Sequence, residues 1–393
     1  MKTYLYEKDG TLFEYRDGKR WLWSLSVLYP LSPLLGIAAH QQTGWTWTLA
    51  LALILSYGLG PIVDAWIGED PNNPPREAVG ALESDGYYRW LTLITVPLHF
   101  ISLIGAVWYA AIADLSVAAY IVLALTTGLA SGLAINTAHE LGHKSTRTEQ
   151  WLARAALAVP AYGHFCVEHN RGHHRDVATP EDPASARMGE SIYRFALREI
   201  PGAWRRGIES ERDRLAKLGL SFWSLRNVIL QSYAITLVLQ LGLLVVFGMA
   251  MLPFLLIHNV FAWWQLTSAN YVEHYGLKRR RMANGRYEPC RPCHSWNSNY
   301  LASNLLLFHL QRHSEHHANP RRRYQALASD PDAPRLPSGY FGMYLAAYVP
   351  PIWYALMDSR LLALPHIDGD LGAVNVDPAS HERLLREYAG LLR

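Results

Sequence analysis

Six long apolar runs restrict this chain to folds that live in a lipid bilayer. They lie at Trp21 to His40, Trp45 to Trp66, Trp90 to Ile112, Leu115 to Thr137, Val228 to Phe247 and Met251 to Val272. Each has the roughly 20 residues that an α-helix needs to cross a hydrocarbon core. Several begin or end on Trp or Tyr, which settle at the membrane interface. A chain of 393 residues would otherwise suggest two or three soluble domains, but soluble domains do not contain such runs. The expected fold is all-α and integral to the membrane: six transmembrane helices with a cytoplasmic, histidine-rich cap.

Orientation follows from the basic residues. Lys2, Lys8, Arg16, Lys19 and Arg20 precede the first run, and the links between runs one and two, three and four, and five and six carry no Lys or Arg. The positive-inside rule then places both termini in the cytoplasm, together with residues 68–89, 138–227 and 273–393. A single membrane-embedded catalytic domain (1–393) is expected. It comprises a solvated basic arm (1–20), spans one to four (21–137), a cytoplasmic segment (138–227), spans five and six (228–272) and a cytoplasmic cap (273–393). No cleavable signal peptide is visible, because charged residues run through the first twenty positions before any apolar stretch. Trp151 to Phe165 is apolar but too short to cross and is interrupted at Pro160 and Gly163, so an interfacial or re-entrant helix is expected there. Glu209 to Lys217 reads as a charged amphipathic stretch.

The cytoplasmic segments carry histidines at helical spacing. His139 and His143 follow span four with no breaker between; His169, His173 and His174 come next; His274 closes span six. His313, His316 and His317 share one stripe of a helix expected to begin near Leu301. Solvated polar faces would not explain that spacing. Neutral imidazole suits iron, zinc, copper and nickel. Nine such histidines exceed the needs of one ion and fit two ions with four or five each, leaving open positions for a small molecule. Zinc has no redox chemistry. Two redox-active ions facing a hydrocarbon-filled bundle suggest oxygen activation on an apolar substrate, and iron is the economical metal.

Metal-bound imidazoles usually donate their second N–H to a carboxylate or carbonyl. Glu140, Glu168, Glu273 and Glu315 each adjoin one of these histidines, and Asp176 and Asp182 are comparable candidates. Neighbouring positions on a helix diverge by about 100°, so each Glu is expected to serve a different histidine or a helix contact. His309, one turn before His313, is expected in a supporting role; His164 and His294 have weaker cases, and His99 and His258, inside spans, are expected to hydrogen-bond between helices. The clusters Arg279, Arg280, Arg281 and Arg321, Arg322, Arg323 suit an acidic electron carrier or lipid head groups equally. Cys290-Arg-Pro-Cys293 is a lone CxxC: rubredoxin-type or structural zinc sites need a second, and CxxCH haem attachment belongs outside the cytoplasm.

Four motifs carry a resemblance: His139-Glu-Leu-Gly-His143-Lys, Glu168-His-Asn-Arg-Gly-His173-His174, Asn270-Tyr-Val-Glu-His274-Tyr-Gly-Leu and Leu310-Gln-Arg-His313-Ser-Glu-His316-His317-Ala. Together they closely resemble those of the bacterial alkane 1-monooxygenases, integral-membrane di-iron hydroxylases more distantly related to fatty-acid desaturases. The three histidine boxes indicate the superfamily; the Asn-Tyr-x-Glu-His-Tyr-Gly element resembles the alkane branch. The resemblance implies two non-haem iron ions, O2 as co-substrate, and terminal hydroxylation of medium-length n-alkanes. It further implies electrons from rubredoxin, served by an NAD(P)H-dependent rubredoxin reductase, and a place in the bacterial inner membrane. No haem, flavin or nicotinamide is expected on this chain, nor any nucleic-acid partner. A primary C–H bond is stronger than a secondary one, so end selectivity requires a narrow channel that admits the alkane end-on. The rival within the superfamily is a desaturase or a hydroxylase of another apolar substrate. From other classes, His139-Glu-Leu-Gly-His143 is also the HExxH signature of a zinc protease, with Glu140 as general base, and a histidine-lined transporter would place its ligands near the midplane of the spans.

Overall fold

The computed structural model describes residues 2–392. The chain opens with a β-hairpin, β1 (Lys2–Lys8) against β2 (Thr11–Asp17), turning at Asp9-Gly10. Both turn residues have positive φ, 51° and 75°, the two-residue geometry whose twist matches a hairpin and which Asp-Gly favours. This corrects the expected solvated arm. Tyr4 is buried and donates a 2.7 Å hydrogen bond to Asp85 Oδ2, Lys19 pairs with Asp70, and Arg20 pairs with Asp85. Cations this buried require carboxylate partners, and the linker between spans two and three supplies them.

The spans lie close to where the apolar runs put them. They are α1 (Arg20–Thr43), α2 (Thr46–Ile67), α3 (Gly86–Ile112) and α4 (Val117–Gly142), followed after two shorter helices and one long one by α8 (Val228–Phe247) and α9 (Met249–His274). Between α4 and α8 come α5 (Arg147–Ala158), α6 (165–176) and α7 (Ile192–Lys217). Local signals set the starts. Asp85 accepts from Tyr87 N to cap α3, Ser116 caps α4, and Asn227 accepts from Ile229 N and Leu230 N to cap α8. Helix α4 continues past Thr137 through His139 to Gly142, because nothing in Ala138-His-Glu-Leu breaks it.

Helix α4 is the central post. From Thr126 to Gly142 every residue is buried, whereas the other spans turn one face outward. It crosses α9 at two small residues, Gly128 and Gly132. A Cβ at Gly128 would stand 2.7 Å from the His258 carbonyl oxygen, and one at Gly132 would stand 2.7 Å from Gln265 Cγ. Close backbone approach of this kind holds helices together where lipid supplies no hydrophobic drive. His258 tightens the crossing by hydrogen-bonding Ser131 Oγ at 2.8 Å, as expected for an intramembrane histidine.

The cap differs from expectation in one important place. A single helix from Leu301 does not carry the last histidines: α10 (Leu301–Leu306) ends, Phe308 and His309 take positive φ, and α11 (His313–Ala318) begins anew. The break is held by Arg312, 1% exposed. It donates to Asp70 Oδ2 (2.8 Å), the Leu327 carbonyl (2.6 Å) and Asn299 Oδ1 (3.1 Å). Two aromatic-rich helices, α12 (Tyr340–Ala347) and α13 (Pro350–Leu362), complete the cap; Trp353 of α13 packs at 5.0 Å on Tyr271 of α9.

The α4–α9 crossing is testable at both glycines. Gly128→Ala meets backbone, which cannot step aside, and should cost about 1–3 kcal/mol in detergent-solubilised protein, seen as a lower thermal midpoint. Gly132→Ala meets Gln265 Cβ and Cγ at 2.8 and 2.7 Å, atoms fixed close to the backbone, and should cost a comparable amount.

Candidate metal centre

Four helices bring the nine histidines together. Helix α4 projects His139 and, one turn on at its C-terminal edge, His143. Helix α9 ends on His274, and α11 starts on His313. The fourth is α6, whose middle, His169–His173, is a π-helical turn. Its i→i+5 hydrogen bonding brings residues five apart into line, so His169 aligns with His174 and leaves His173 to face elsewhere.

The result is two groups. His139, His143, His169, His174 and His316 form one, and His173, His274, His313 and His317 the other; within each, the donor atoms all lie within 4.8 Å of one another. The two doublets, His173-His174 and His316-His317, each send one residue to either group. In the first group Nε2 of His316 is 2.9 Å from that of His139 and 3.1 Å from that of His174, which is 3.0 Å from His169 Nε2. In the second, His313 Nε2 is 3.1 Å from His274 Nε2 and 2.9 Å from His317 Nε2. Metal–imidazole bonds of about 2.1 Å at right angles place donor nitrogens about 3.0 Å apart, so each group has the dimensions of half a coordination sphere.

Protonation and orientation agree with that use. Burial holds His143, His169, His313, His316 and His317 well below the usual imidazole range, and neighbouring imidazoles add to the effect. Burial likewise takes His174 down to about 3. These are the neutral rings a metal needs. For His173 burial also disfavours the charged form, but the Asp182 carboxylate outweighs it and raises the pKa. Asp182 Oδ2 lies 2.9 Å from His173 Nδ1, which fixes Nδ1–H and turns Nε2 inward; the His294 carbonyl, 3.3 Å from His274 Nδ1, does the same there. The Nε2 atoms of His143 and His173 are buried with no hydrogen-bond partner among the described residues. Inward-facing lone pairs left unpaired in a buried site fit a cation, and the all-imidazole donor set suits non-haem iron.

Of the supporting residues expected from sequence, two touch a histidine. They are Asp182 and Glu273, whose Oε2 is 3.4 Å from His313 Nε2 and whose Oε1 accepts a 2.9 Å bond from Tyr340. Glu273 thus approaches His313 and not its neighbour His274, but at the nitrogen that faces the other imidazoles; His313 Nδ1 has no partner among the described residues, so Glu273 does not orient that ring. The others turn elsewhere. Glu140 pairs with Lys144 at 3.0 Å, away from the histidines, which removes the geometry an HExxH protease requires. Glu168 accepts from Arg206 Nε at 2.8 Å; Asp176 pairs with Arg175 at 2.6 Å and Arg206 at 3.5 Å; Glu315 pairs with Arg322. His309 is not in the cluster: the break before α11 turns it against Trp23, and its Nδ1–H meets the Tyr324 carbonyl at 2.9 Å. Arg206 and Tyr340 were not legible as site residues, because neither adjoins a histidine motif in the sequence. Cys166, Cys290 and Cys293 are all free thiols.

Against the histidines, on the membrane side, lies an apolar pocket between α4 and α9. Leu129, Leu133, Leu266 and Phe341 line it, and it closes on His139 and His169 of one group and His313 of the other.

Residues 115–360 match the family of fatty acid desaturases. The chain is 52% identical to alkane 1-monooxygenase 1 of Alcanivorax borkumensis, over 94% of this chain and 91% of the relative. It is 50% identical to the alkane 1-monooxygenase of Pseudomonas putida, over 95% and 93%. A more distant relative, the hydroxylase component of a xylene/toluene monooxygenase of Pseudomonas putida, is 30% identical over 56% of this chain and 58% of its own length.

Two substitutions probe the grouping. His313→Ala removes a donor from the group of four and none from the group of five, so bound metal should fall by about half while the protein stays folded in the membrane. Asp182→Asn should weaken metal binding about 10–100-fold, read by competition with a chelator.

Proposed function

Because the chain belongs to the fatty acid desaturase family and, within it, to the alkane 1-monooxygenases, we propose that it converts medium-chain n-alkanes to 1-alkanols. The reaction consumes O2, two electrons and two protons, and releases one water. The observation that carries this reading is the apolar pocket that ends on both histidine groups. In this reading His139, His143, His169, His174 and His316 hold one iron and His173, His274, His313 and His317 the other, and the bound iron supplies the reductive activation of O2.

The chain's own residues position the substrate. An n-alkane offers no polar handle, so its binding rests on burial, worth about 0.8 kcal/mol per CH2. The pocket runs between two helices whose spacing is fixed at Gly128 and Gly132, and a narrow apolar slot of that kind presents a chain end, not its middle, to the histidines. Asn136 in the pocket wall donates to the Leu307 carbonyl at 2.8 Å, which ties α4 to the segment after α10.

Electrons arrive from rubredoxin, reduced by its NAD(P)H-dependent reductase, at the aqueous face of the cap. The two arginine clusters differ there. Arg322 and Arg323 are engaged by Glu315 and Glu149. Arg280 and Arg281 are exposed beside Lys278 and Arg291, around a groove that also includes His294. Arg279 is buried, bonded to the carbonyls of Glu288 and Arg175, and shapes that groove from beneath. The His294 carbonyl meets His274, so the groove floor adjoins the four-histidine group. An acidic carrier suits Arg280 and Arg281 better than it suits the neutralised pair at 322–323. The whole chain, 1–393, acts as one unit in the inner membrane, with the histidines and both termini on the cytoplasmic side, where the basic residues gather.

Purified enzyme should contain about two irons per chain and, with rubredoxin, its reductase and NADH, form 1-octanol from octane. A single zinc without iron, or an alkene product, would overturn the reading. Arg280→Glu with Arg281→Glu should raise KM for rubredoxin about tenfold at low salt and leave KM for alkane unchanged.

A further inference from the structure

A second, smaller cavity lies beside the histidines, and it is polar. Tyr162, His164, Glu168 and Glu199 line it, and it touches His169 of one metal group and His173 of the other. It shares a wall with the apolar pocket, made of Phe165, Leu266, Asn270 and His169. Two of its groups are buried and unpaired among the described residues: the Tyr162 hydroxyl and His164 Nε2 have no hydrogen-bond partner there, and both residues are 2% exposed. The other ring nitrogen of His164, Nδ1, lies 3.0 Å from the hydroxyl of Tyr233, which is only partly buried. Glu199, from the middle of α7, is 1% exposed. Its Oε2 accepts from Thr267 at 2.8 Å and its Oε1 from Asn270 at 3.1 Å. Its neighbours Glu168 and Asp182 both pair with Arg206; Glu199 has no cation partner among the described residues.

We propose that Glu199, with Tyr162 and His164, carries protons to the metal centre from the cap-side end of α8, where Tyr233 stands in the second turn. This rests on the reading of the chain as an O2-dependent alkane monooxygenase. Each turnover breaks one C–H and the O–O bond and forms one C–O bond. The donor's two electrons and two protons convert the second oxygen atom to water. The alkane pocket is filled by hydrocarbon during the reaction, which leaves no continuous polar path through it for those protons. The polar cavity reaches both metal groups from the other side of Phe165 and Leu266.

The chemistry of its residues suits a relay. Burial, working against the hydrogen bond from Thr267, brings Glu199 up to about 7, and the carboxylates of Glu168 and Asp182 push the same way. A carboxyl poised near neutrality both holds and releases protons. Burial keeps His164 neutral, at about 3, so its ring accepts on one nitrogen and donates from the other. The facing groups are Tyr162 before α6, Glu168 on α6, Asp182 in the following loop and Thr267 and Asn270 on α9; the last two do not titrate.

The test uses the iron-loaded, full-length enzyme. Glu199→Gln should leave iron content, thermal midpoint and alkane KM unchanged and lower kcat about a hundredfold. Solvent deuterium isotope effects on kcat should rise, and more NADH should be oxidised per alkanol formed; Glu199→Asp should restore part of the rate. Tyr162→Phe removes a hydroxyl with no partner, so the fold is not at risk, and it should show the same signature more weakly. Independently of turnover, infrared spectra should contain a buried protonated-carboxyl band that fades as pH rises through about 7 and is absent from Glu199→Gln. Native kcat and isotope effect in both variants would overturn the proposal. So would a loss of kcat that tracks lost iron with an unchanged isotope effect, the mark of a helix contact only. If the native enzyme makes no alkanol, the functional reading fails and takes this one with it; alkanol from the native enzyme and from Glu199→Gln at equal rates sinks the relay alone.

Discussion

Nine imidazoles must stay uncharged and face inward in a place from which water is largely excluded, and the rest of the structure follows from that requirement. Burial disfavours the charged form of every ring, though Asp182 outweighs it at His173, and it does nothing to aim them. Aim comes from bonds to the other ring nitrogen, such as Asp182 on His173 and the His294 carbonyl on His274. A buried carboxylate needs its own compensation, and Arg206 supplies it to Asp182 and Glu168 together. The same logic operates one layer out, where Asp70 binds both Lys19 and Arg312 next to the first residue of α11. Removing one member of such a set leaves an unpaired buried charge, at a cost of about 3–5 kcal/mol. Ion pairs that never touch the centre thus keep its ligands in register.

Placement relative to the bilayer comes from a different force. The crossing of α4 and α9 relies on small residues and close backbone contact. It lifts His139 and His274 to the same level, at the ends of two spans. The apolar pocket lies between those helices, and Phe165 and Leu266 separate it from the polar cavity beside the histidines.

The spans were legible within a few residues, because an apolar run of about 20 has no other stable use. The nine histidines were legible for a related reason: three stripes at helical spacing are hard to explain otherwise. Their partition into five and four was not, since it depends on the π-helical turn at His169–His173, for which residue type carries no signal. The hairpin was misjudged because Lys19 and Arg20 find their carboxylates 51 and 65 residues further along. His309 was placed on the wrong stripe because the chain breaks at Phe308 and His309, neither a helix breaker by type. Adjacency in sequence was a poor guide to which acid supports which ring: Glu168 is claimed by an arginine 38 residues away. Glu199 sits on a helix whose charged C-terminal half, Glu209 to Lys217, reads as surface, so nothing local marks it as buried.

The two histidine doublets have a mechanical meaning. Each doublet is one peptide unit whose two side chains belong to different centres, so the centres are joined twice through main-chain covalent bonds and not only through packing. A displacement of α6 or α11 therefore carries one histidine of each group with it, and neither group can shift there without the other.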